Sequence, residues 1–387
     1  MTFPKLTLKS LNARPLMLPL KRPVLARIAT IESWPVILID LETEEGVCGR
    51  AYLEPYIPKS MNYLVPALHD MGEMLKGQQV APVEFFQAAQ NSLHFVGYEG
   101  LSMIAASGLD MVAWDRSARA ANLPLCSLLG GSVRPVACYN SNALWLRSPG
   151  EVATEALELI DEGDFKTLKF RMGRDQLSDD LATAQALRDA VGDNIDLMVD
   201  FNQGMDMAEA LCRCHAIDDL GLLWIEEPVI YDDFSGYAKL ASELNTPLQI
   251  GENFYGPRDM YKALEAKACD LVMPDFMRIG GVTGWMQAAG LAAAANIPMS
   301  THLYPEVAAH VMRVTRTPHL LEWQDWAEAV LEEAELAKEE AVEELPTGIP
   351  VNIILMPLEG DPSAAAAYWQ LAQFSQGSFL TPSDDWP

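Results

Sequence analysis

Alternation of apolar and polar residues with a period of two dominates the first sixty positions. The stretch VILIDLETEEGVCGRAYL (36–53) carries it on both sides of Glu45-Gly46, the pattern of two strands joined by a hairpin. From Tyr63 to about Ala121 the spacing becomes helical, most clearly in SMIAASGLDMVAWDRSARAA (102–121). These segments predict an α+β domain over residues 1–130, ending near LLGGSVRP (128–135). Eight short apolar runs follow: VACYNS (136–141), TLKFRM (167–172), IDLMVDFN (195–202), LLWIEEP (222–228), LQIGEN (248–253), DLVMPD (270–275), IPMSTH (297–302) and HLLEWQD (319–325). Helix-like stretches such as DLATAQALRDAV and VTGWMQAAGLAAAAN separate them. Repeated βα units of this kind predict a TIM barrel over residues 131–330. An open doubly wound sheet would want a glycine-rich turn after its first strand, and VACYNSNALW has none. A C-terminal segment, 331–387, holds an acidic helix (331–345) and then GIPVNIILMPLEG, read as a strand returning to the first domain.

Composition narrows the function classes. The chain has 387 residues, half of them hydrophobic, enough for a sizeable core and more than one domain. A net charge of −27 argues against nucleic acid as a partner. No apolar run of about twenty residues predicts a membrane span. The start, MTFPKLTLKS, has no apolar signal core, and the six cysteines are spaced for neither a disulfide framework nor a zinc site. Both features suit a reducing cytoplasm.

The predicted barrel strands carry polar residues at their C-terminal ends, where a barrel gathers them at one mouth. Asp200, Glu226 and Glu252 come from three successive strands. Three converging carboxylates repel unless a cation joins them, and hard oxygen donors suit Mg²⁺. Glu227, beside Glu226, points the other way on a strand and is a helper near the metal. Asp275 and His302 end neighbouring strands, and a carboxylate on one imidazole nitrogen raises the basicity of the other. Glu322 is a proton donor to a substrate oxygen if its pKa is raised. Lys169 and Arg171 share one strand face. These parts imply removal of the proton α to a substrate carboxylate. The histidines at 69, 94, 215, 310 and 319 have no such context and read as structural or surface residues.

The set AASGLDMVAWD, MVDFN, WIEEP, GEN, MPDFMRIGGVTGW, PMSTHLYPEVAAH and LEWQD resembles the mandelate racemase branch of the mandelate racemase/muconate lactonizing enzyme family, in the enolase superfamily. That resemblance implies a modified (β/α)7–8 barrel under an N-terminal capping domain. It implies one Mg²⁺ on Asp200, Glu226 and Glu252, a His302–Asp275 dyad, Glu322 as the electrophilic acid and Asn202 near the substrate. Arg278 falls where the racemase has a lysine. It also implies an even-numbered homo-oligomer such as an octamer, and a small-molecule carboxylate substrate. In the family's Lys-x-Lys motif the first lysine, here Lys169, contacts the substrate carboxylate or metal shell, and the second is a base opposite the histidine. Here the second position is Arg171. The cap supplies specificity, with Arg27, Ile28 and Ile31 in KRPVLARIATIE (21–32), and Tyr52, Glu54 and Tyr56 after the next strand, as the residues expected to reach the substrate.

Arginine keeps its proton above pH 12. One good base and one very poor one tilt the reading toward dehydration of a sugar acid or related hydroxy acid, with His302 as base. The alternatives are racemisation or epimerisation of a mandelate-like 2-hydroxy acid, and a catalytically impaired binding relative.

Overall fold

The computed structural model describes residues 5–326 and two short strands at 353–354 and 379–380. The acidic helix expected at 331–345 lies outside the described residues. The two C-terminal strands pair with each other in parallel.

β1 (Leu8–Leu25), β2 (Thr30–Thr43) and β3 (Cys48–Leu53) form an antiparallel sheet in that order. The alternation read from the sequence is visible in β2, where Ile37, Ile39, Leu41 and Thr43 are buried and Leu38, Asp40 and Glu42 are half-buried. The hairpin turns at Gly46, whose φ of +82° favours glycine. The buried face packs on two helices, α1 (Met61–Leu75) and α3 (Leu101–Ala121), and α2 (Pro82–Ser92) packs on α3. Helix α3 is buried on nearly all sides, as a helix apolar all round must be. It comes so close to β3 that a Cβ on Gly49 would sit 2.4 Å from the Val112 carbonyl.

The second sheet holds seven parallel strands: β4 (Cys138–Asn140), β5 (Thr167–Arg171), β6 (Asp196–Asp200), β7 (Ile225–Glu226), β8 (Leu248–Ile250), β9 (Leu271–Val272) and β10 (Leu321–Trp323). Their order is β10-β4-β5-β6-β7-β8-β9. Between β9 and β10 the expected strand at 297–302 is reduced to single parallel bridges, Val272 to Met299, Asp275 to His302, and Met299 to Pro318. These close the ring. Pro298 has no N–H to give to a ladder, which is one reason the strand does not form fully. The barrel floor is filled by Tyr139, Met198, Trp224 and Leu271. Where α3 meets the barrel, buried Asp110 accepts from the backbone N–H of Thr283 at 2.9 Å and from its hydroxyl at 2.5 Å. Trp114 donates to the same hydroxyl at 2.9 Å. No helix among the described residues is long and apolar enough to cross a membrane.

Candidate active site

Parallel register sets the site. Arg171, Asp200 and Glu226 are direct neighbours across β5, β6 and β7, so their side chains leave the sheet at one level. Beyond the strand ends the chain turns sharply: Asn202, Gln203, Glu227, Leu303 and Tyr304 all have φ between +39° and +60°. Non-glycine residues rarely adopt this conformation, and it concentrates at functional sites.

Lys169 lies at the centre. Its buried ammonium is 2.5 Å from Glu226 Oε1, 2.8 Å from Glu322 Oε1 and 3.7 Å from Asp200 Oδ2. Burial alone would lower its pKa, but Glu226, Glu322 and Asp200 more than reverse that, and its pKa is raised. The same contact decides Glu322. Burial pushes this carboxyl up, yet Lys169 and His302 outweigh burial and hold it at about 2. The raised pKa expected of a proton donor is therefore not found in this arrangement, because the lysine expected to face the substrate is paired with Glu322. Glu322 Oε2 also accepts from the Leu303 N–H at 2.8 Å.

Arg171 is anchored by the segment that follows β4. One terminal nitrogen donates to the carbonyls of Ser141 (3.1 Å) and Ala143 (2.9 Å), and the other to Ser141 Oγ (2.8 Å). Its guanidinium carbon lies 4.0 Å from the Trp145 ring centroid. Its Nε, 3.8 Å from Asp200 Oδ2, is buried without a hydrogen bond.

The dyad faces this cluster. His302 Nδ1 is 2.7 Å from Asp275 Oδ2, and Asp275 Oδ1 accepts from Met277 N–H at 2.8 Å, so both carboxylate oxygens are fixed. His302 Nε2 is 3.3 Å from Glu252 Oε2 and 3.2 Å from the Tyr56 hydroxyl. Burial lowers the imidazole pKa, but Glu252, Asp275 and Glu322 together raise it to about 9. Arg278 donates to the Glu252 carbonyl at 3.0 Å. Glu227 accepts from the N–H groups of Gly251 and Glu252 at 3.0 and 3.2 Å and so fixes the turn that presents Glu252.

The structure brings Asp200, Glu226 and Glu252 to one mouth on neighbouring strand ends. Among the described residues no three such side chains are already gathered at metal-ligand spacing. Glu226 is turned to Lys169 and Trp224, and Glu252 to His302 and Gln203. The donor set fits Mg²⁺ in type and number, three carboxylates with no thiol or imidazole among them. The mouth already holds one cation, the Lys169 ammonium, between two of them.

At the end of barrel strand β6, Asn202 donates to Asp200 Oδ2 at 2.7 Å. The cap residues divide. Glu54 is buried in the roof, accepting from Trp34 Nε1 at 3.0 Å, and burial pushes its carboxyl to about 8. Tyr52 donates to Glu306 at 2.6 Å and stacks on Tyr304. Ile28 is exposed and Ile31 packs against the core. Arg27, expected at the substrate, is engaged by Glu209 at 2.7 and 3.0 Å. Its side chain runs past Gly173 and Gly204, and a Cβ on Gly204 would lie 3.0 Å from Arg27 Cδ. Sequence reading missed Gln203, which donates to Glu252 and Asn253, and Ser141 and Trp145, which hold Arg171. Their only signal is position, just after the first barrel strand for the latter two and next to Asn202 for the former.

Residues 12–130 match the N-terminal domain of the mandelate racemase/muconate lactonizing enzymes, and 151–347 match the enolase C-terminal domain-like family. The L-talarate/galactarate dehydratase of Salmonella typhimurium is 32% identical over 62% of this chain, and the match spans 60% of that enzyme. A crystal structure of an enolase from alpha proteobacterium BAL199 with bound magnesium is 68% identical, with a TM-score of 0.82, covering 84% of this chain and 90% of that one. A Bradyrhizobium enolase complexed with magnesium and mandelic acid is 39% identical, with a TM-score of 0.81 and the same coverage.

Proposed function

This chain is an enzyme of the mandelate racemase/muconate lactonizing enzyme family of the enolase superfamily, and we propose that it removes the α-proton of a 2-hydroxy acid with His302 and completes a dehydration. The substrate class is a sugar acid or related hydroxy acid. Asp200, Glu226 and Glu252 would hold Mg²⁺, which supplies Lewis-acid stabilisation of negative charge on the substrate carboxylate. Asp275 holds the proton on Nδ1, so Nε2 presents its lone pair. Turning Glu252 away from Nε2 removes the charge that does most to keep a proton there. His302 takes the α-proton, the electrons of the C–H bond pass toward the carboxylate, and Lys169 offers compensating positive charge. The β-hydroxyl then departs with the proton from His302 as water, leaving an enol that becomes a 2-keto acid.

The observation that carries dehydration over racemisation is the anchoring of Arg171. Its guanidinium is spent on Ser141, Ala143 and Trp145, and it supplies fixed charge, not a second base. A second reading, racemisation of an aryl hydroxy acid, is favoured by the mandelic acid in the Bradyrhizobium relative. The six free cysteines support action in the cytoplasm.

The test is to incubate the Mg²⁺-loaded enzyme in D₂O with galactarate, talarate, glucarate and each enantiomer of mandelate. The expected result is a 2-keto-3-deoxy product from a sugar acid, abolished by EDTA and by His302→Asn. Racemised mandelate with deuterium arriving from both faces, and no keto acid from any sugar acid, overturns the proposal.

A further inference from the structure

Tyr56 crosses from the cap to the base. It follows β3, and its hydroxyl lies 3.2 Å from His302 Nε2, the nitrogen turned from Asp275, which Glu252 Oε2 also approaches at 3.3 Å. The two rings are nearly parallel, at 7°. Three further facts show that this placement is held. Tyr56 has φ +58°, in the left-handed region that a bulky side chain seldom adopts. The Arg278 guanidinium sits over its ring at 4.8 Å. Trp34, on the neighbouring cap strand β2, packs edge-on with its ring centroid 4.6 Å away.

We propose that Tyr56 is a positioning residue for the base: once Glu252 has turned from His302 Nε2, the Tyr56 hydroxyl donates to that nitrogen, fixes the imidazole from the end opposite Asp275, and yields that place to the substrate. The proposal rests on the reading of Nε2 as the reacting atom. With Glu252 drawn from Nε2, a histidine tied only at Nδ1 keeps a freedom of tilt about that single bond. The Tyr56 hydrogen bond at Nε2 removes it and aims the lone pair at the Tyr56 oxygen. That oxygen marks where the substrate's α-C–H must arrive. The contact also shields the nitrogen from small electrophiles while no substrate is bound. Arg278 is the retaining group. Its planar cation stacks on the ring, which a lysine in its place could not do in the same way. Its other bond goes to the Glu252 backbone carbonyl, so the restraint on Tyr56 is tied to the turn that carries a metal ligand.

The experiment is carbethoxylation by diethyl pyrocarbonate of the Mg²⁺-loaded full chain, with each histidine followed by peptide mass spectrometry. Wild type is compared with Tyr56→Phe, which loses only the hydroxyl, and Tyr56→Ala, which loses the shield. The expected result is that His302 reacts several-fold faster in Tyr56→Phe and faster again in Tyr56→Ala, while His94 and His215 keep their wild-type rates. Equal His302 rates in all three proteins overturn the proposal, and so does a rise shared by every histidine, which would signal general loosening. The readout needs no substrate. If His302 behaves as expected and no hydroxy acid turns over, the functional reading fails and the positioning role stands; turnover dependent on His302 with unchanged carbethoxylation gives the reverse.

Discussion

Replacing Arg171 by lysine gives the chain a Lys-x-Lys spelling and tests whether spelling or geometry governs the second face. The guanidinium, 2% exposed, serves Ser141 O, Ala143 O and Ser141 Oγ in a fixed fork and lies flat on Trp145. A lysine ammonium can keep one of these acceptors and cannot stack as a plane. Losing two buried bonds from a charged donor costs ~1.5 kcal/mol each, and the stacking ~1 kcal/mol. The expected destabilisation is therefore ~4 kcal/mol, or roughly 5–10 °C in Tm. Differential scanning calorimetry of both proteins, with magnesium present, reads it directly. Deuterium exchange into each face of a hydroxy acid reads the chemistry. Arg171→Lys should gain no exchange on the face opposite His302, because the anchors at Ser141 and Ala143 draw the ammonium toward β4. An unchanged Tm, or new exchange on the second face, would refute the argument that the arginine is held by the β4 end.

Asp275→Asn keeps the oxygen that accepts from Met277 but places an amide N–H against His302 Nδ1. That favours the tautomer with the proton on Nε2, and α-proton exchange should fall about 10²- to 10⁴-fold with an unchanged circular dichroism spectrum. Stability should also depend on pH through Asp110, whose burial between α3 and Thr283 pushes its carboxyl to about 7 from an ordinary 3.8. Here the folded state binds the proton more tightly than the unfolded one. The contribution is therefore complete below pH ~4 and lost as the pH rises toward 7. Urea titrations between those values should show falling stability in wild type, and a flatter profile in Asp110→Asn. Glu54, pushed to about 8, tilts both proteins the same way, so the difference between them is the measurement.

Much of this was readable from the chain because strand ends in a barrel share one mouth. Asp200, Glu226, Glu252, Asp275 and His302 need only strand count and spacing to be brought together, and the structure brings them together. What spacing could not supply is rotamer and partner. Arg171 sits on the expected strand, but its direction is set by Ser141 and Trp145, on a loop thirty residues away. Glu322 sits at the expected strand end, yet its protonation is decided by Lys169. The strand at 297–302 was overread because its apolar run is real while its ladder, interrupted by Pro298, shrinks to single bridges. The cap residues were hardest. Tyr56, Glu54 and Arg27 acquire neighbours only when two separately folded layers dock, and nothing local in KRPVLARIATIE shows that Arg27 will find Glu209.

That last contact bears on how such enzymes can be recombined. Arg27 lies in a trough that stays open because residues 173 and 204 have no side chain, and it ends on an acid from the barrel's helix 207–217. Cap and barrel are thus not interchangeable parts. A chimera that imports this cap loop onto a scaffold with alanine at the position of Gly204, or without an acid at that of Glu209, would leave the loop unmoored from the barrel. Transplanting this loop would require moving the mooring with it.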